Sequence, residues 1–126
     1  MIFPDELKYS NEHEWICVDG DVAKIGITAY AQKELGDIVY VELVTQGETL
    51  EAGQRFGTIE AVKTVSDLYM PVSATINEVN ALLESVPEKI NQDPYGDGWM
   101  IRAKLSDNAE LDKLMSAAEY MEFVNE

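Results

Sequence analysis

The sequence predicts a mainly β fold with short helices, and three features support this class. Residues 14–18 and 21–28 are β-rich apolar runs on either side of an Asp-Gly pair, which is favoured in two-residue hairpin turns. Residues 37–44 and 99–105 alternate between two faces, as strands with one buried side do. The tail that follows these strands changes to the apolar period of helices.

Capping residues mark the predicted helices. Thr28 precedes the run AYAQKEL as an N-cap, and Gly36 follows it as a stop. The tail holds two matches to the capping-box pattern, Asp107 with Glu110 and Ser116 with Glu119. We therefore expect a C-terminal helical segment at about 107–124 after a strand core at about 14–105, within one domain over residues 1–126.

Charge restricts the classes of partner. The chain has 24 acidic and 9 basic residues, a net charge of -15. Nucleic acids and anionic membrane surfaces attract clustered Lys and Arg, so this charge argues against both. It favours partner proteins with basic patches, with plain solubility as an alternative that acidity alone does not distinguish from it. No apolar run approaches the length of a membrane span, and the N-terminus resembles neither a signal nor a transit peptide. We expect a cytoplasmic protein, or a mitochondrial matrix protein if a presequence has been removed.

Few side chains could serve as catalytic groups. Cys17 is the only cysteine and His13 the only histidine, so a Cys/His zinc site lacks ligands. A Cys17–His13 nucleophilic pair is conceivable, but the stretch WICV predicts a buried strand in which the cysteine acts as a small hydrophobic residue. Phosphate-binding and hydrolase motifs are absent from the sequence. Whatever the protein does, it therefore does with few catalytic groups.

One lysine stands apart from every other basic residue. Lys63 lies in IEAVKTVSDLYMP, among small and β-branched neighbours that favour extended chain. The predicted strand at 56–62 precedes it, and a second extended stretch follows at 68–79. The residues alone leave two interpretations open. Lys63 is either a solvating side chain on a strand or an amine displayed for modification.

The segment around Lys63 resembles the lipoylation site of glycine cleavage system H-proteins, and the resemblance covers roughly residues 7–124. Five further blocks resemble that family in the same order: YSNEHEW, VAKIGIT, AQKELGDIVYVEL, VSATINEVN and NQDPYGDGWMI. The chain is thereby identified as a member of the family. The resemblance implies a barrel-sandwich hybrid, the fold of lipoyl and biotinyl carriers, with the lysine at a hairpin tip.

The resemblance also implies a function. Lipoate would be held in amide linkage on Lys63 as a flexible arm, which raises its effective concentration at any docked enzyme. In this family the arm receives the aminomethyl group of glycine from a pyridoxal-phosphate-dependent glycine decarboxylase. An aminomethyltransferase passes the carbon to tetrahydrofolate, and dihydrolipoyl dehydrogenase reoxidises the dithiol. A lipoyl/octanoyl transferase or a lipoate ligase would attach the group, and we expect a monomer.

Acidic residues are candidates for holding the loaded arm. Glu14 and Asp67 match positions associated with this role in the family, and Glu12 is a looser candidate. Tyr30 and Glu34 stand where many members carry histidine or other polar residues, so a histidine contact to the arm from there is not expected. The alternative is that all these acids are solvated charges.

Other functions share this scaffold or this lysine. Biotin carriers usually flank their lysine with methionines, whereas Val62 and Thr64 flank it here. Lipoyl domains of 2-oxoacid acyltransferases usually have Asp before the lysine and belong to longer chains. A non-lipoylated acidic adaptor would leave Lys63 bare. A lipoyl-relay protein, which donates lipoate to other complexes, would use the same lysine.

Overall fold

A computed structural model of the protein describes residues 2–125. Its strands are Lys8–Tyr9 (β1), Glu14–Asp19 (β2), Val22–Ile27 (β3), Ile38–Leu43 (β4), Thr49–Leu50 (β5), Arg55–Ala61 (β6), Val65–Tyr69 (β7), Ala74–Val79 (β8) and Ile101–Leu105 (β9). Its helices are Ala29–Leu35 (α1), Leu82–Ser85 (α2), Lys89–Gln92 (α3) and Ala117–Phe123 (α4), with a 3-10 helix at Asn108–Lys113.

The strands form two antiparallel sheets. The six-stranded sheet has the order β1-β2-β3-β9-β8-β5, and the three-stranded sheet has the order β4-β6-β7. Both sheets contribute side chains to one main core, for example Ile25 and Ile101 from the larger sheet and Ile59 and Leu68 from the smaller one. The mainly β prediction is confirmed. Within the described residues, no helix is long and apolar enough to cross a membrane.

Helix α1 forms where its caps predict it. The Thr28 hydroxyl accepts a hydrogen bond from the Ala31 N–H at 3.1 Å. Gly36 ends the helix at φ 80, in the left-handed region, which residues other than glycine rarely occupy. Its N–H donates to the carbonyl of Gln32 at 3.0 Å. The helix is therefore held in place at both ends beside the three-stranded sheet.

Helix α4 packs against the N-terminal segment and strands β1 and β2. Ser116 and Glu119 form the predicted capping box at its start. Tyr120 is completely buried in a second core formed by Phe3, Leu7, Tyr9, Trp15, Ala117 and Tyr120. This core joins the N-terminal segment, β2 and the C-terminal helix, so α4 is part of the packed structure and not an appended tail.

Several local predictions differ from the structure for identifiable reasons. The strict alternation predicted for 37–44 is wrong, because a β-bulge between Ile38 and Tyr40 leaves both Val39 and Tyr40 exposed. The stretch 68–79 is two strands, because the chain bends after β7 at Pro71.

The predicted capping box at Asp107 is also wrong. The Glu110 carboxylate accepts hydrogen bonds from the N–H and the hydroxyl of Ser73, at 2.7 and 3.0 Å. It therefore does not reach back to its own helix start. Asp107 alone caps the 3-10 helix, by accepting from the Ala109 N–H at 2.9 Å.

Candidate functional site

Lys63 lies at the tip of the hairpin that joins β6 to β7. The turn is closed by a hydrogen bond from the Ala61 N–H to the Thr64 carbonyl at 2.8 Å. A second bond, from the Val62 N–H to the Asp37 carbonyl at 2.9 Å, fastens the tip to the chain just before β4. The lysine itself is exposed. The hairpin therefore presents the amine to solvent from a well-fixed backbone.

The Lys63 side chain extends over the end of helix α1. A methyl group at position 36 would lie 3.3 Å from the Lys63 Cε and 3.7 Å from its Nζ. The absence of a side chain at Gly36 thus leaves a path along which the lysine stem can lie. A groove between α1 and β7 lies nearby, with Leu35, next to Gly36, and Val65, two residues after Lys63, among its lining residues.

That groove is a cavity of about 490 Å³, called the arm cleft from here on. Apolar side chains of Ile27, Leu35, Val65 and Leu68 line it. Leu35 precedes Gly36 in sequence, so the cleft begins next to Lys63. An apolar groove of this kind accommodates a hydrocarbon chain attached to the lysine amine.

Three exposed carboxylates also line the arm cleft: Glu12, Glu34 and Asp67. Asp67 accepts a hydrogen bond from the Thr58 hydroxyl at 3.2 Å. Glu12 and Asp67, but not Glu34, were proposed from the sequence as acids that hold the arm. The spacing within α1 could have identified Glu34, because it follows Tyr30 by four residues and so lies on the same face of the helix. Among the described residues, acidic, His and Cys side chains form no group of three or more suited to a metal ion.

Glu14 lies elsewhere. Its side chain is 1% exposed and lines a second cavity of about 690 Å³, called the inner cavity, which Ser10 and Met70 also line. The Ser10 hydroxyl donates to Glu14 Oε1 at 2.5 Å. Glu12 and Tyr69 line both cavities, so the inner cavity adjoins the arm cleft.

Burial changes the protonation state of Glu14. Desolvation raises the pKa of its carboxyl to about 8, although hydrogen bonds from the Ser10 hydroxyl and the Tyr69 backbone favour the charged form. At neutral pH this carboxyl is mainly protonated. The two acids that the sequence suggested as a pair therefore differ: Asp67 is a solvated acid of the cleft, and Glu14 is a buried neutral acid behind it.

An apolar surface around the lysine was not predicted from the sequence. Val39, Tyr40, Val62 and Val65 are 54%, 49%, 74% and 60% exposed. Tyr40 and Val65 both pair with Glu60 across the three-stranded sheet, so they lie in one row next to the tip. Apolar residues on a solvated sheet face indicate a surface that contacts partners.

Cys17 and His13 do not form a common site. His13 lines the arm cleft, whereas Cys17 lines a different cavity with Lys24 and Arg102. The prediction that Cys17 is buried is wrong in degree, because its side chain is only partly covered.

The fold and the site together define a class of protein. Two packed antiparallel sheets that present one exposed lysine beside a cleft are the framework of a swinging-arm carrier. The model of the family described as Glycine cleavage H-protein matches residues 7–126. The chain belongs to this family, and its role is that of the carrier component of the glycine cleavage system.

Individual relatives agree along the whole chain. It is 57% identical over 125 residues to a glycine cleavage system H protein of Bacteroides fragilis, with 99% of each chain covered. It is 52% identical to the H protein of Staphylococcus carnosus, with both chains fully covered. A crystal structure of a glycine cleavage system H protein from Mycobacterium marinum superposes with a TM-score of 0.91 at 38% identity, covering 98% of this chain and 100% of that one. The predicted barrel-sandwich fold is confirmed.

Proposed function

We propose that the protein carries lipoate in amide linkage on Lys63 and shuttles the aminomethyl group of glycine from a pyridoxal-phosphate-dependent decarboxylase to a tetrahydrofolate-dependent aminomethyltransferase. Dihydrolipoyl dehydrogenase then reoxidises the arm. The observation that carries the proposal is the exposed amine of Lys63, fixed on a hairpin tip where the arm cleft begins.

The residues around Lys63 fit an attached lipoyl chain. Gly36 leaves the lysine stem unobstructed, since a methyl group there would lie 3.3 Å from the stem. The apolar lining of the cleft, with Leu35 and Val65 at its start, suits the hydrocarbon part of the chain. Acylation also removes the charge of the amine, so the stem can lie against apolar side chains without desolvating a cation.

When attached, lipoate supplies a disulfide that accepts the aminomethyl group and is restored by thiol–disulfide exchange. The protein contributes binding and shielding. An aminomethyl amine is a cation when protonated, and the carboxylates of Glu12, Glu34 and Asp67 are placed to attract it. The Glu14 side chain, in the adjoining cavity, is itself shielded from bulk water. The cleft would thereby slow hydrolysis of the loaded arm between enzymes.

The partners follow from this cycle, with a lipoyl/octanoyl transferase or a lipoate ligase required for attachment. The exposed apolar row beside Lys63 and the net charge of -15 together suit partners with apolar recesses rimmed by basic residues. We propose that the protein acts as a carrier without catalytic activity of its own. We place it in the cytoplasm, since the relatives described above are bacterial proteins.

Mass spectrometry of the tryptic peptides tests the modified residue. Trypsin releases residues 56–63 and 64–89 when Lys63 is free, and one peptide over 56–89 when it is acylated. We expect the long peptide, with the added mass of a lipoyl group, from protein made in cells that supply lipoate.

A matched pair of variants locates the modification. Lys63→Arg keeps the charge and should take up no lipoyl group, whereas Lys33→Arg, an exposed lysine on α1, should be modified fully. Lipoylation of Lys63→Arg to the wild-type level would contradict the proposal.

A further inference from the structure

A chain of buried hydrogen bonds lies beneath the arm cleft. The Tyr120 hydroxyl is 2.8 Å from His13 Nδ1 and 2.8 Å from the Thr28 hydroxyl. The Thr28 hydroxyl in turn accepts from the Ala31 N–H at 3.1 Å. Tyr120 and Thr28 are both 0% exposed. This chain links helix α4, the start of helix α1 and the turn between β1 and β2.

The donors and acceptors of this chain fix its direction. Within residues 2–125, the Tyr120 oxygen is the only acceptor found for the proton of the Thr28 hydroxyl. The Tyr120 proton then points to His13 Nδ1, which must be unprotonated to accept it. The neutral imidazole therefore carries its proton on Nε2. With a proton on Nδ1, either the chain reverses or the Tyr120 oxygen accepts from both neighbours, and in each case one buried hydroxyl proton, of Thr28 or of Tyr120, has no acceptor, which is costly.

His13 also holds an uncommon backbone conformation. Its φ is 68, a region that residues other than glycine rarely occupy. The His13 carbonyl accepts from the Thr28 N–H at 3.0 Å, and its N–H donates to the Ser10 carbonyl at 3.2 Å. This turn carries Glu12 and Glu14 on either side of the histidine. The side-chain bond to Tyr120 thus fixes the residue between two acids of the proposed site.

The charged neighbours of His13 oppose its neutrality. Burial lowers the pKa of His13 below its ordinary value, and the carboxylates of Glu12 and Glu34 act in the opposite direction. Asp67 is the third acid of the same cleft. The Tyr30 ring, with its centroid 5.0 Å from that of the imidazole, and the Phe123 ring, 5.9 Å away, cover the histidine. A histidine among three acids would normally gain a proton readily, so a device that keeps it neutral has a consequence for the cleft.

We propose that Tyr120 is a positioning residue of the arm cleft, whose hydroxyl holds His13 as the neutral Nε2–H tautomer. The cleft then presents its carboxylates to the aminomethyl ammonium group without a competing positive charge; the Nε2–H itself does not bind the ammonium, which has no acceptor. A charged imidazole would repel that group and pair with the acids that should hold it. This role rests on the proposed function of the arm, whereas the hydrogen-bond chain itself does not.

Because His13 is the only histidine, NMR of its imidazole nitrogens observes the hydrogen-bond chain directly. In a ¹⁵N-labelled sample, the imidazole nitrogens should show the Nε2–H tautomer in the wild-type protein. Tyr120→Phe should give a mixture of tautomers and a titration that moves up toward the ordinary value of about 6.5. Tyr9→Phe is the matched control, because that ring stacks on Tyr120 with centroids 4.9 Å apart but donates its hydroxyl to Pro4. Thr28→Ser, which keeps the hydroxyl, should retain the wild-type spectrum.

A second measurement addresses the arm. In the lipoylated, aminomethyl-loaded carrier, Tyr120→Phe should shorten the lifetime of the loaded form by about threefold more at pH 6 than at pH 8, relative to the wild type. Tyr9→Phe should not show this pH-dependent loss.

The possible outcomes distinguish a failure of this inference from a failure of the proposed function. An Nδ1–H tautomer in the wild type, or equal spectra for Tyr120→Phe and Tyr9→Phe, would overturn the inference. An altered spectrum with an unchanged lifetime would also overturn the positioning role. A wild-type protein that takes up no lipoyl group would refute the proposed function and leave the spectral result standing.

Discussion

Glu14 and Asp67 carry the same functional group in two opposite environments. Asp67 is exposed on an edge strand and accepts one hydrogen bond from Thr58. Glu14 is 1% exposed, accepts from the Ser10 hydroxyl, and is mainly protonated at neutral pH. Water screens an ionic contact at Asp67, whereas a contact at Glu14 is formed where screening is weak.

The difference suggests a division of roles for a cationic group on the arm. Asp67 and Glu12 line the open cleft and would attract the amine at long range. Glu14 is buried and would bind the cation more firmly if the arm reached it. Because a nearby cation favours the charged form of a carboxyl, docking at Glu14 would be accompanied by release of its proton. The following predictions test this comparison.

The largest expected effect is on stability. The unfolded-state pKa of a glutamate is about 4.3, and burial raises the pKa of Glu14 to about 8. Between these values the folded protein binds more protons than the unfolded chain, so Glu14 makes the free energy of unfolding fall as pH rises. Glu14→Gln should remove this slope, which amounts to about 3 kcal/mol between about pH 4 and pH 7.

Urea unfolding at several pH values measures this slope as the difference between the wild type and each variant. Asp67→Asn is the exposed control and should change the free energy of unfolding by less than about 0.5 kcal/mol. If Glu14→Gln retains the wild-type pH dependence, Glu14 is not buried as a neutral acid.

The second effect is on the loaded arm. A charge-assisted hydrogen bond in a buried site contributes about 1.5–3 kcal/mol. Glu14→Gln should therefore shorten the lifetime of the aminomethyl-loaded carrier by about tenfold or more. Glu84→Gln, an exposed acid that lines neither cavity, should have the wild-type lifetime. Equal lifetimes for all three proteins would show that the arm does not reach the inner cavity.

The smallest effect belongs to the exposed acids. Asp67→Asn and Glu12→Gln should each cost no more than about 1 kcal/mol of arm binding, a lifetime change of up to about fivefold. Raising the ionic strength should diminish the effect of both substitutions. The effect of Glu14→Gln should persist at the same salt concentration. A salt-independent loss in Asp67→Asn would mean that the cleft closes over this residue.

Local patterns predicted what local interactions decide. Thr28 caps the start of α1 and Gly36 its end, both through contacts within a few residues, and Ser116 caps the start of α4 in the same way. The bulge in β4 depends on its pairing with β6, and Glu110 turns to Ser73, which is distant in sequence. Neither the pairing of β4 with β6 nor the contact between Glu110 and Ser73 can be predicted from a short stretch of sequence.

Prediction of the site was limited in the same way as prediction of the fold. A family resemblance pointed to Lys63, Glu12, Glu14 and Asp67, because it compares residues position by position. It could not give their burial, which depends on packing between segments far apart in the chain. The burial of Glu14 and the hydrogen bond between Tyr120 and His13 are therefore evident only in the folded structure.

Gly36 has a consequence for the entropy of docking. The stem of Lys63 lies across this residue, so the tether of the arm starts at the edge of the groove that would receive its other end. Bringing the free end of a short tether to a nearby point closes a small loop, and the entropy lost in closure grows with loop length. A bulky residue at position 36 would displace the lysine stem from this path and increase the distance that the same tether must span. The helix-ending glycine would then govern how often the arm returns to rest, although it contacts none of the chemistry.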